Sequence, residues 1–439
     1  MRHWLYQRLR SSGDREAIVC GNNRISYASL LQQIENWFRV FDARALPAGA
    51  VVAITGSYSA DACALFVALA VSGRVATPLP SDEEAARYLA VSGAVALVEF
   101  DDLGAWSWSA PPPRTRPALL QRLCRHGGVV VFTSGTTGQS KAALFDFEGL
   151  TAPYKKPRRG YRTLAFLALD HLGGIHTMLH TLAHSGALII SGDRQPEAVC
   201  RAIERERVEL LPTTPTFLRL LLISGLHRSY DLSSLQLVTY GTEPMPPATL
   251  RALVTALPGV RFKQTYGLSE LGVLPTRSKA SDSLWLEIGC DTRIVNGELW
   301  IRSDTAMLGY LNLPSPFHSD GWYNTGDAVA VDGRFVQILG RRGDLINVGG
   351  EKVYPVEVED ALLELPNVRD ATVWGQASPV TGQIVAARVT LREAEASAVF
   401  ERRLYDFCRY RLAPHKIPLL VEIVAGDQHG ERFKKIRPR

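Results

Sequence analysis

The sequence lacks the features that would place the chain in a membrane or tie it together through metal ions. Its longest apolar stretch, residues 62–72, is too short to cross a bilayer, and the first residues show no apolar core of a signal peptide. The six cysteines form no C-x-x-C pair, which disfavours a zinc site and is typical of reduced thiols. We therefore expect a cytoplasmic protein that does not insert into membranes.

An excess of charge of one sign is also missing. The 49 Lys and Arg residues nearly balance the 44 Asp and Glu residues, which leaves a net charge of +5 over 439 residues. Basic residues run together only at the C-terminus, so we do not expect a nucleic-acid-binding protein. The length itself predicts two or more domains.

Strand and helix patterns alternate through most of the chain. Apolar residues recur at helical spacing over residues 26–41, and the short apolar runs at 51–54, 75–79 and 187–190 are typical of buried strands. This alternation of strands and helices predicts an α/β fold with parallel sheets packed by helices. Between residues 284 and 340, Asn296-Gly297 and Asp332-Gly333 lie between alternating apolar residues, which predicts antiparallel hairpins. Beyond residue 343 the pattern predicts a small α+β unit.

A loop rich in glycine and hydroxyl residues follows a buried strand at residues 129–132. It reads Thr133, Ser134, Gly135, Thr136, Thr137, Gly138, Gln139, Ser140, Lys141. Glycine lets backbone N–H groups converge on an anion, and lysine adds a positive charge, so the loop suits a phosphate; a solvated turn is the alternative. The sequence disfavours an ordinary P-loop, because that pattern would need Gly-Lys-Ser/Thr at 140–142 and the chain has Ser-Lys-Ala.

This loop resembles the signature of the acyl-adenylate-forming enzymes, which include acyl-CoA and aryl-CoA ligases, adenylation domains of peptide synthetases, and luciferases. Residues 138–141 match the family's Gly-x-x-Lys, and further family motifs follow in order at 240–244, 264–270, 323–327 and 340–344. The resemblance implies a large N-terminal α/β domain (residues 1–342) with an antiparallel β subdomain. It also implies a small, mobile C-terminal α+β domain (residues 343–439).

The resemblance further implies a site for ATP and Mg²⁺. Tyr266 would stack on adenine, Asp327 would accept hydrogen bonds from the ribose hydroxyls, and Glu270 would offer Mg²⁺ a hard oxygen. Besides Thr133 to Gly138 and Lys141 of the loop, the implied nucleotide-binding residues are Gly241, Thr242, Glu243, Tyr266, Gly267, Ser269, Asp327 and Arg341.

His171 resembles the histidine that lines the carboxylate pocket of the ligases, although a lone histidine is more often structural. Amino-acid-activating relatives carry an aspartate where we align Leu172, with Asp170 close enough to leave that register open. An apolar side chain cannot pair with an ammonium group, which favours an aromatic or other carboxylic acid without an α-amino group. The implied substrate-binding residues are His171, Leu172, Gly241, Tyr266 and Gly272.

The implied C-terminal features are a hinge, a thiol tunnel and a catalytic lysine. Gly343 replaces an acidic hinge residue of the family, and Gly349 and Gly350 match a loop that lines the tunnel for the pantetheine thiol of CoA or an acyl carrier protein. Alignment on Ile436 selects Lys435 as the lysine that reaches the reacting carboxylate and phosphate. Lys434 is the alternative catalyst, and a solvated basic tail is the alternative to both.

The sequence therefore predicts an ATP-dependent ligase. It would convert a carboxylic acid to an acyl-adenylate, release pyrophosphate, and pass the acyl group to a thiol of CoA or an acyl carrier protein. An amino-acid-activating enzyme and a non-catalytic ATP-binding relative remain alternatives.

Overall fold

A computed structural model provides the fold. It describes residues 3–56, 58–80, 84–101, 104–112, 117–123, 127–134, 140–426, 428–430 and 433–437. The helices are Trp4–Ser11, Tyr27–Ala43, Ala60–Val71, Glu84–Ser92, Phe147–Thr151, Leu172–Ala183, Pro196–Glu206, Pro215–Ser224, Pro247–Ala256, Pro355–Glu364 and Ser397–Cys408. In the described ranges, no helix is both long and apolar enough to cross a bilayer.

The first large sheet is parallel except at one edge. Its strands lie in the spatial order Arg261–Gln264, Leu237–Tyr240, Leu210–Thr213, Arg162–Leu164, Ala187–Ile190, Glu16–Cys20 and Asn23–Ser26, with only the last pair antiparallel. One face packs against helices Pro196–Glu206, Pro215–Ser224 and Pro247–Ala256. The predicted two-sided α/β architecture is confirmed.

The second large sheet carries the glycine-rich loop. Its strands lie in the order Gly309–Tyr310, Ser140–Asp146, Gly128–Ser134, Val75–Pro78, Val51–Gly56, Ala94–Phe100 and Trp106–Ser109. Helices Tyr27–Ala43, Ala60–Val71 and Leu172–Ala183 share one apolar core with both large sheets. Strands Gly128–Ser134 and Ser140–Asp146, which flank residues 135–139 in the sequence, pair in antiparallel.

The predicted antiparallel region is also confirmed. Its strands lie in the order Thr276–Ser278, Leu286–Ile288, Phe335–Arg341, Tyr323–Asp332, Glu298–Arg302 and Asp291–Val295, beside a short hairpin of Tyr266–Leu268 and Gly272–Leu274. Asn296 and Gly297 both have positive φ between two of these strands, as the Asn-Gly turn requires. We call residues 3–341 the large unit.

The remaining strands form the C-terminal unit (residues 346–423). Strands Glu351–Val353, Ile346–Val348, Gly382–Leu391 and Val368–Ser378 are antiparallel, and Leu420–Ile423 pairs in parallel with Gly382–Leu391. Helices Pro355–Glu364 and Ser397–Cys408 cover this sheet and share its separate apolar core. The α+β fold is confirmed, whereas the domain boundary at residues 342 and 343 stays a prediction.

One strand is shorter than its apolar run suggests. The run at residues 163–169 predicts a strand of that length, but the strand ends at Leu164. The chain then turns toward helix Leu172–Ala183, where a Cβ on Gly174 would lie 1.9 Å from the Ala168 carbonyl oxygen. The close approach permitted by glycine therefore brings His171 to the start of that helix.

Three histidines lie along one face of the same helix and its C-cap. His176, His180 and His184 all face the ring of Tyr154, at centroid distances of 5.4, 5.9 and 6.3 Å. Burial lowers the pKa of His176 to about 4, of His180 to about 2 and of His184 to about 4, with smaller contributions from nearby cations such as Arg158. The folded chain therefore holds all three histidines neutral.

We expect the free energy of unfolding to fall as the pH decreases from 6.5, the ordinary histidine pKa. In this range the unfolded chain binds protons at these histidines and the folded chain does not. Each histidine therefore lowers the free energy of unfolding by up to about 1.4 kcal/mol per pH unit. Thermal unfolding of wild type and His180→Gln between neutral and acid pH tests this, because the variant should lose less stability on acidification. His415→Gln, in the C-terminal unit, is the control. An identical pH dependence in wild type and His180→Gln would contradict the assignment.

Candidate active site

The glycine-rich loop is anchored at its base. Thr133 lies opposite Lys141 in the hairpin, and the Lys141 ammonium lies 5.7 Å from the ring centroid of Tyr310. The Asn312 side chain binds the backbone of strand Ser140–Asp146 at two points. It donates to the Ser140 carbonyl at 2.8 Å and accepts from the Ala142 N–H at 3.0 Å. Residues 135–139, and with them the predicted donors Gly135, Thr136, Thr137 and Gly138, lie outside the described residues, as does the Ser134 side chain.

Glu270 contacts the same tyrosine, Tyr310. Its carboxylate is buried and accepts a hydrogen bond of 2.5 Å from the Tyr310 hydroxyl. Burial raises the pKa of Tyr310, and the hydrogen bond to Glu270 raises it further, so the phenol stays a donor. Burial also raises the pKa of Tyr323, and the charge of Glu270 raises it further.

A magnesium ion fits the chemistry of this carboxylate. Within the described ranges, no group of three or more His, Cys, Asp or Glu residues is arranged to hold a metal ion by itself. Mg²⁺ usually binds through one or two carboxylates together with substrate phosphates and waters. Glu270 offers one such carboxylate oxygen, so its chemistry is compatible with Mg²⁺ bound together with substrate phosphates.

A second buried carboxylate, Asp327, lies nearby. It accepts a short hydrogen bond from the Tyr266 hydroxyl, and its other oxygen lies 3.4 Å from Arg341 Nε on the adjacent strand. Burial raises the Asp327 pKa, opposed by the Tyr266 hydrogen bond and the Arg341 charge. The charges of both carboxylates raise the pKa of Tyr323, in addition to the larger effect of its burial.

Glycines allow the surrounding strands to approach closely. A Cβ on Gly241 would lie 2.6 Å from Thr265 Oγ1, and one on Gly267 would lie 2.6 Å from the Gly272 carbonyl oxygen. Gly272 itself has a φ of +83°, a conformation that side chains disfavour. The sequence marks these positions by their glycines, and the structure shows that a side chain there would clash or be strained.

These segments line a cavity of about 170 Å³ between the large unit and the C-terminal unit. The predicted residues that line it are Gly241, Thr242, Glu243, Tyr266, Gly267, Asp327 and Arg341. The residues that sequence reasoning missed include Asp344, Pro355, Val356 and Arg437. Arg437 belongs to the basic tail, where the sequence-based prediction concerned only Lys434 and Lys435.

The predicted carboxylate pocket starts at His171. This residue is the N-cap of helix Leu172–Ala183 and is partly buried, while Leu172 is buried in the core shared by the two large sheets. Neither residue lines the cavity, and neither do Ser269, Glu270 or Lys141. Their role in holding a substrate stays a prediction.

The described C-terminal tail (residues 428–430 and 433–437) returns to this interface. The Lys435 ammonium donates to the Ala371 carbonyl and lies 3.3 Å from Glu359 and 3.8 Å from Asp370. The Arg437 guanidinium donates to both Glu359 oxygens, at 2.9 and 3.1 Å. The structure therefore does not bring the ammonium of Lys435, our sequence-based choice of catalyst, into the cavity. Carboxylates of the C-terminal unit hold it instead.

The predicted hinge and tunnel glycines lie outside the cavity lining. Gly343 lies in a short turn where a Cβ would meet no neighbouring atom, so this arrangement of the chain does not require glycine there. Gly349 and Gly350 have φ values of +61° and +96° in the turn between Ile346–Val348 and Glu351–Val353. Their glycine identity follows from this turn, and a thiol tunnel stays a prediction.

We expect Glu359→Ala to destabilise the C-terminal unit by about 3 kcal/mol, because it removes the buried carboxylate that Lys435 and Arg437 share. Although burial raises the Glu359 pKa, the charges of Lys435 and Arg437 hold it below its ordinary value. Glu357→Ala, on the same helix, is the matched control: its ion pair with Lys416 is exposed and worth less than ~1 kcal/mol. Urea unfolding measures both, and equal losses would contradict the account.

Comparison with known proteins identifies a family that matches the sequence. Residues 128–311 match the AMP-binding enzyme family, and residues 357–431 match the AMP-binding enzyme C-terminal domain. A 2-succinylbenzoate–CoA ligase from Bacillus cytotoxicus is 25% identical over 460 residues, which cover 96% of this chain and 94% of that protein. A feruloyl-CoA synthase from an Amycolatopsis species is 27% identical over 468 residues, which cover 95% and 94% of the two chains.

Among solved structures, the amide bond synthetase McbA from Marinactinospora thermotolerans superimposes with a TM-score of 0.81 at 25% identity. The superposition covers 96% of this chain and 95% of that one. The chain belongs to the AMP-binding, adenylate-forming enzymes, the superfamily that includes the acyl- and aryl-CoA ligases.

Proposed function

We propose that the chain is an ATP-dependent acid–thiol ligase that works through an acyl-adenylate. The observation that carries this proposal is the cavity in which buried Asp327 accepts from Tyr266 and faces Arg341. A carboxylate offers two acceptors to the vicinal hydroxyls of a ribose, and the neighbouring aromatic ring suits adenine. Arg341 would contact the ribose or a phosphate.

In the first step, an oxygen of the substrate carboxylate attacks the α-phosphorus of ATP. The bond between the α-phosphorus and the bridging oxygen breaks, and pyrophosphate leaves with the bonding electrons. Lys141 and the loop N–H groups would stabilise the charge on the transferring and leaving phosphates. Mg²⁺ held at Glu270 would neutralise part of the same charge.

In the second step, a thiol attacks the carbonyl carbon of the mixed anhydride. The carbon–oxygen bond to AMP breaks, the thiol proton passes to solvent, and a thioester forms. Rotation of the C-terminal unit about Gly343 would bring Gly349 and Gly350 to the thiol path, as the family resemblance implies. The acceptor would be CoA or the phosphopantetheine of an acyl carrier protein.

The tail geometry favours Lys434 over Lys435 as the lysine that contacts the reacting groups. In the family that the sequence resembles, the catalytic lysine follows a glycine. Phe433 has a φ of +51°, a left-handed conformation that glycine adopts most readily. The next residue, Lys434, is exposed. The Lys435 ammonium lies at Glu359 and Asp370 of the C-terminal unit, outside the cavity lining. We therefore assign catalysis to Lys434 and a structural role to Lys435.

The acid is proposed to be aromatic, or at least to lack an α-amino group. Leu172 offers no charge to an ammonium. The names of two relatives refer to aromatic acids, succinylbenzoate and ferulate, which supports the same class.

An amine is the alternative acceptor. The structural likeness to an amide bond synthetase favours it, since an amine nitrogen could attack the same mixed anhydride. The first step is identical in both cases, so the acceptor is tested separately from acid activation.

Acid-dependent exchange of pyrophosphate into ATP tests the first step. We expect exchange with one class among benzoates, cinnamates, fatty acids and amino acids, and a loss of ~100-fold or more in Lys434→Ala because a positioned cation is removed. Lys435→Ala should retain exchange while lowering the unfolding midpoint. Loss confined to Lys435→Ala would reverse the assignment of the two lysines.

Other results of the same experiment separate the alternatives. Exchange with amino acids alone would indicate an amino-acid-activating enzyme. ATP binding without exchange for any acid would contradict the ligase proposal and leave a nucleotide-binding relative. Adding CoA, a phosphopantetheine-loaded carrier protein or an amine to the exchanging mixture then identifies the acceptor by its acylated product.

A further inference from the structure

Phe433 attaches the C-terminal tail to the large unit. Its side chain is buried in the core beneath the first large sheet, with ring centroids 5.4 Å from Phe166 and 5.6 Å from Phe217. The Thr214 hydroxyl donates a 2.9 Å hydrogen bond to the Phe433 carbonyl. A residue near the end of the chain is thus packed as tightly as a core residue.

This packing opposes the backbone preference of the residue. A φ of +51° is unfavourable for a side chain with a Cβ, and glycine would adopt it without cost. A phenylalanine in this conformation indicates that the contacts of its ring offset the strain. The ring therefore contributes packing energy that the turn itself does not require.

The anchored tail lies where the nucleotide cavity is completed. Arg437, four residues further on, lines the cavity and pairs with Glu359 of the C-terminal unit. The Lys435 N–H lies 3.4 Å from Glu243, which also lines the cavity. Phe433 thus joins the tail to the large unit on one side, and Glu359 joins it to the C-terminal unit on the other.

We propose that Phe433 is a positioning residue that seats the tail, with Lys434, at the nucleotide cavity for acid activation and must leave its aromatic pocket before thiol transfer. The proposal rests on the two-step function above. Because the pocket belongs to the large unit and the tail follows the C-terminal unit, rotation of that unit would withdraw the ring from Phe166 and Phe217. The anchor then favours the first half-reaction and opposes the second.

The two half-reactions are measured separately on the full chain. Acid-dependent pyrophosphate exchange reports the first, and thioester formation from a chemically prepared aroyl-adenylate and CoA reports the second. We expect Phe433→Gly and Phe433→Ala to lose ~10-fold or more in exchange, as for loss of a well-packed aromatic contact. Thioester formation should stay within about 2-fold of wild type or increase, since this conformation does not use the anchor.

Matched variants separate ring packing from backbone strain. Phe433→Gly removes both the ring and the strain, whereas Phe433→Ala removes the ring alone, so a similar loss in both assigns the effect to the ring. Phe433→Leu, which keeps an apolar side chain for the pocket, should restore most of the exchange. Unchanged exchange in the glycine and alanine variants would overturn the proposal, and so would an equal fall in both half-reactions.

Limited digestion with trypsin tests the anchor without any activity. Cleavage after Lys434 or Lys435 should be ~10-fold faster in Phe433→Gly than in wild type, because the tail loses its buried attachment and opens more often. Equal cleavage rates would overturn the anchor. If wild type itself shows no acid-dependent exchange, the proposed function fails while the digestion result still decides whether Phe433 seats the tail.

Discussion

Glu359 is a buried carboxylate that depends on two cations from the end of the chain. Lys435 and Arg437 reach it from the tail, and the same tail is fixed to the large unit through Phe433. These contacts lie next to the surfaces that enclose the cavity, where Pro355, Val356 and Arg437 line one side and Tyr266 and Asp327 the other. A buried charge that loses its partner is costly, so this network strongly favours the observed arrangement of the two units.

Within the large unit, the candidate site depends on carboxylates held by phenols. Tyr266 donates to Asp327, and Tyr310 donates to Glu270. Burial keeps these tyrosines protonated, so each carboxylate has a fixed donor and keeps further oxygen lone pairs for a ligand. The sheets hold this arrangement because glycines at 241 and 267 let neighbouring strands approach within contact distance.

Much of the fold could be predicted from the sequence because each element carries a local signal. Apolar spacing predicts helix Tyr27–Ala43, and Asn-Gly predicts the hairpin at residue 296. The motif glycines and acids likewise identify much of the cavity lining. The position of the tail could not be predicted, since it depends on a distant partner, Glu359, and on a phenylalanine in a conformation that usually selects glycine. Alignment on Ile436 therefore selected Lys435, whose ammonium the structure places against carboxylates of the C-terminal unit.

The central claim is that a carboxylate oxygen attacks the α-phosphorus of ATP. The most direct test supplies a carboxylic acid labelled with ¹⁸O in both oxygens, together with ATP and the acceptor, and measures the masses of the AMP and pyrophosphate released. The account predicts one labelled oxygen in AMP, because the bridging oxygen of the acyl-adenylate leaves with the phosphate when the acceptor attacks. Label in pyrophosphate or inorganic phosphate, or product formation with unlabelled AMP, would contradict it.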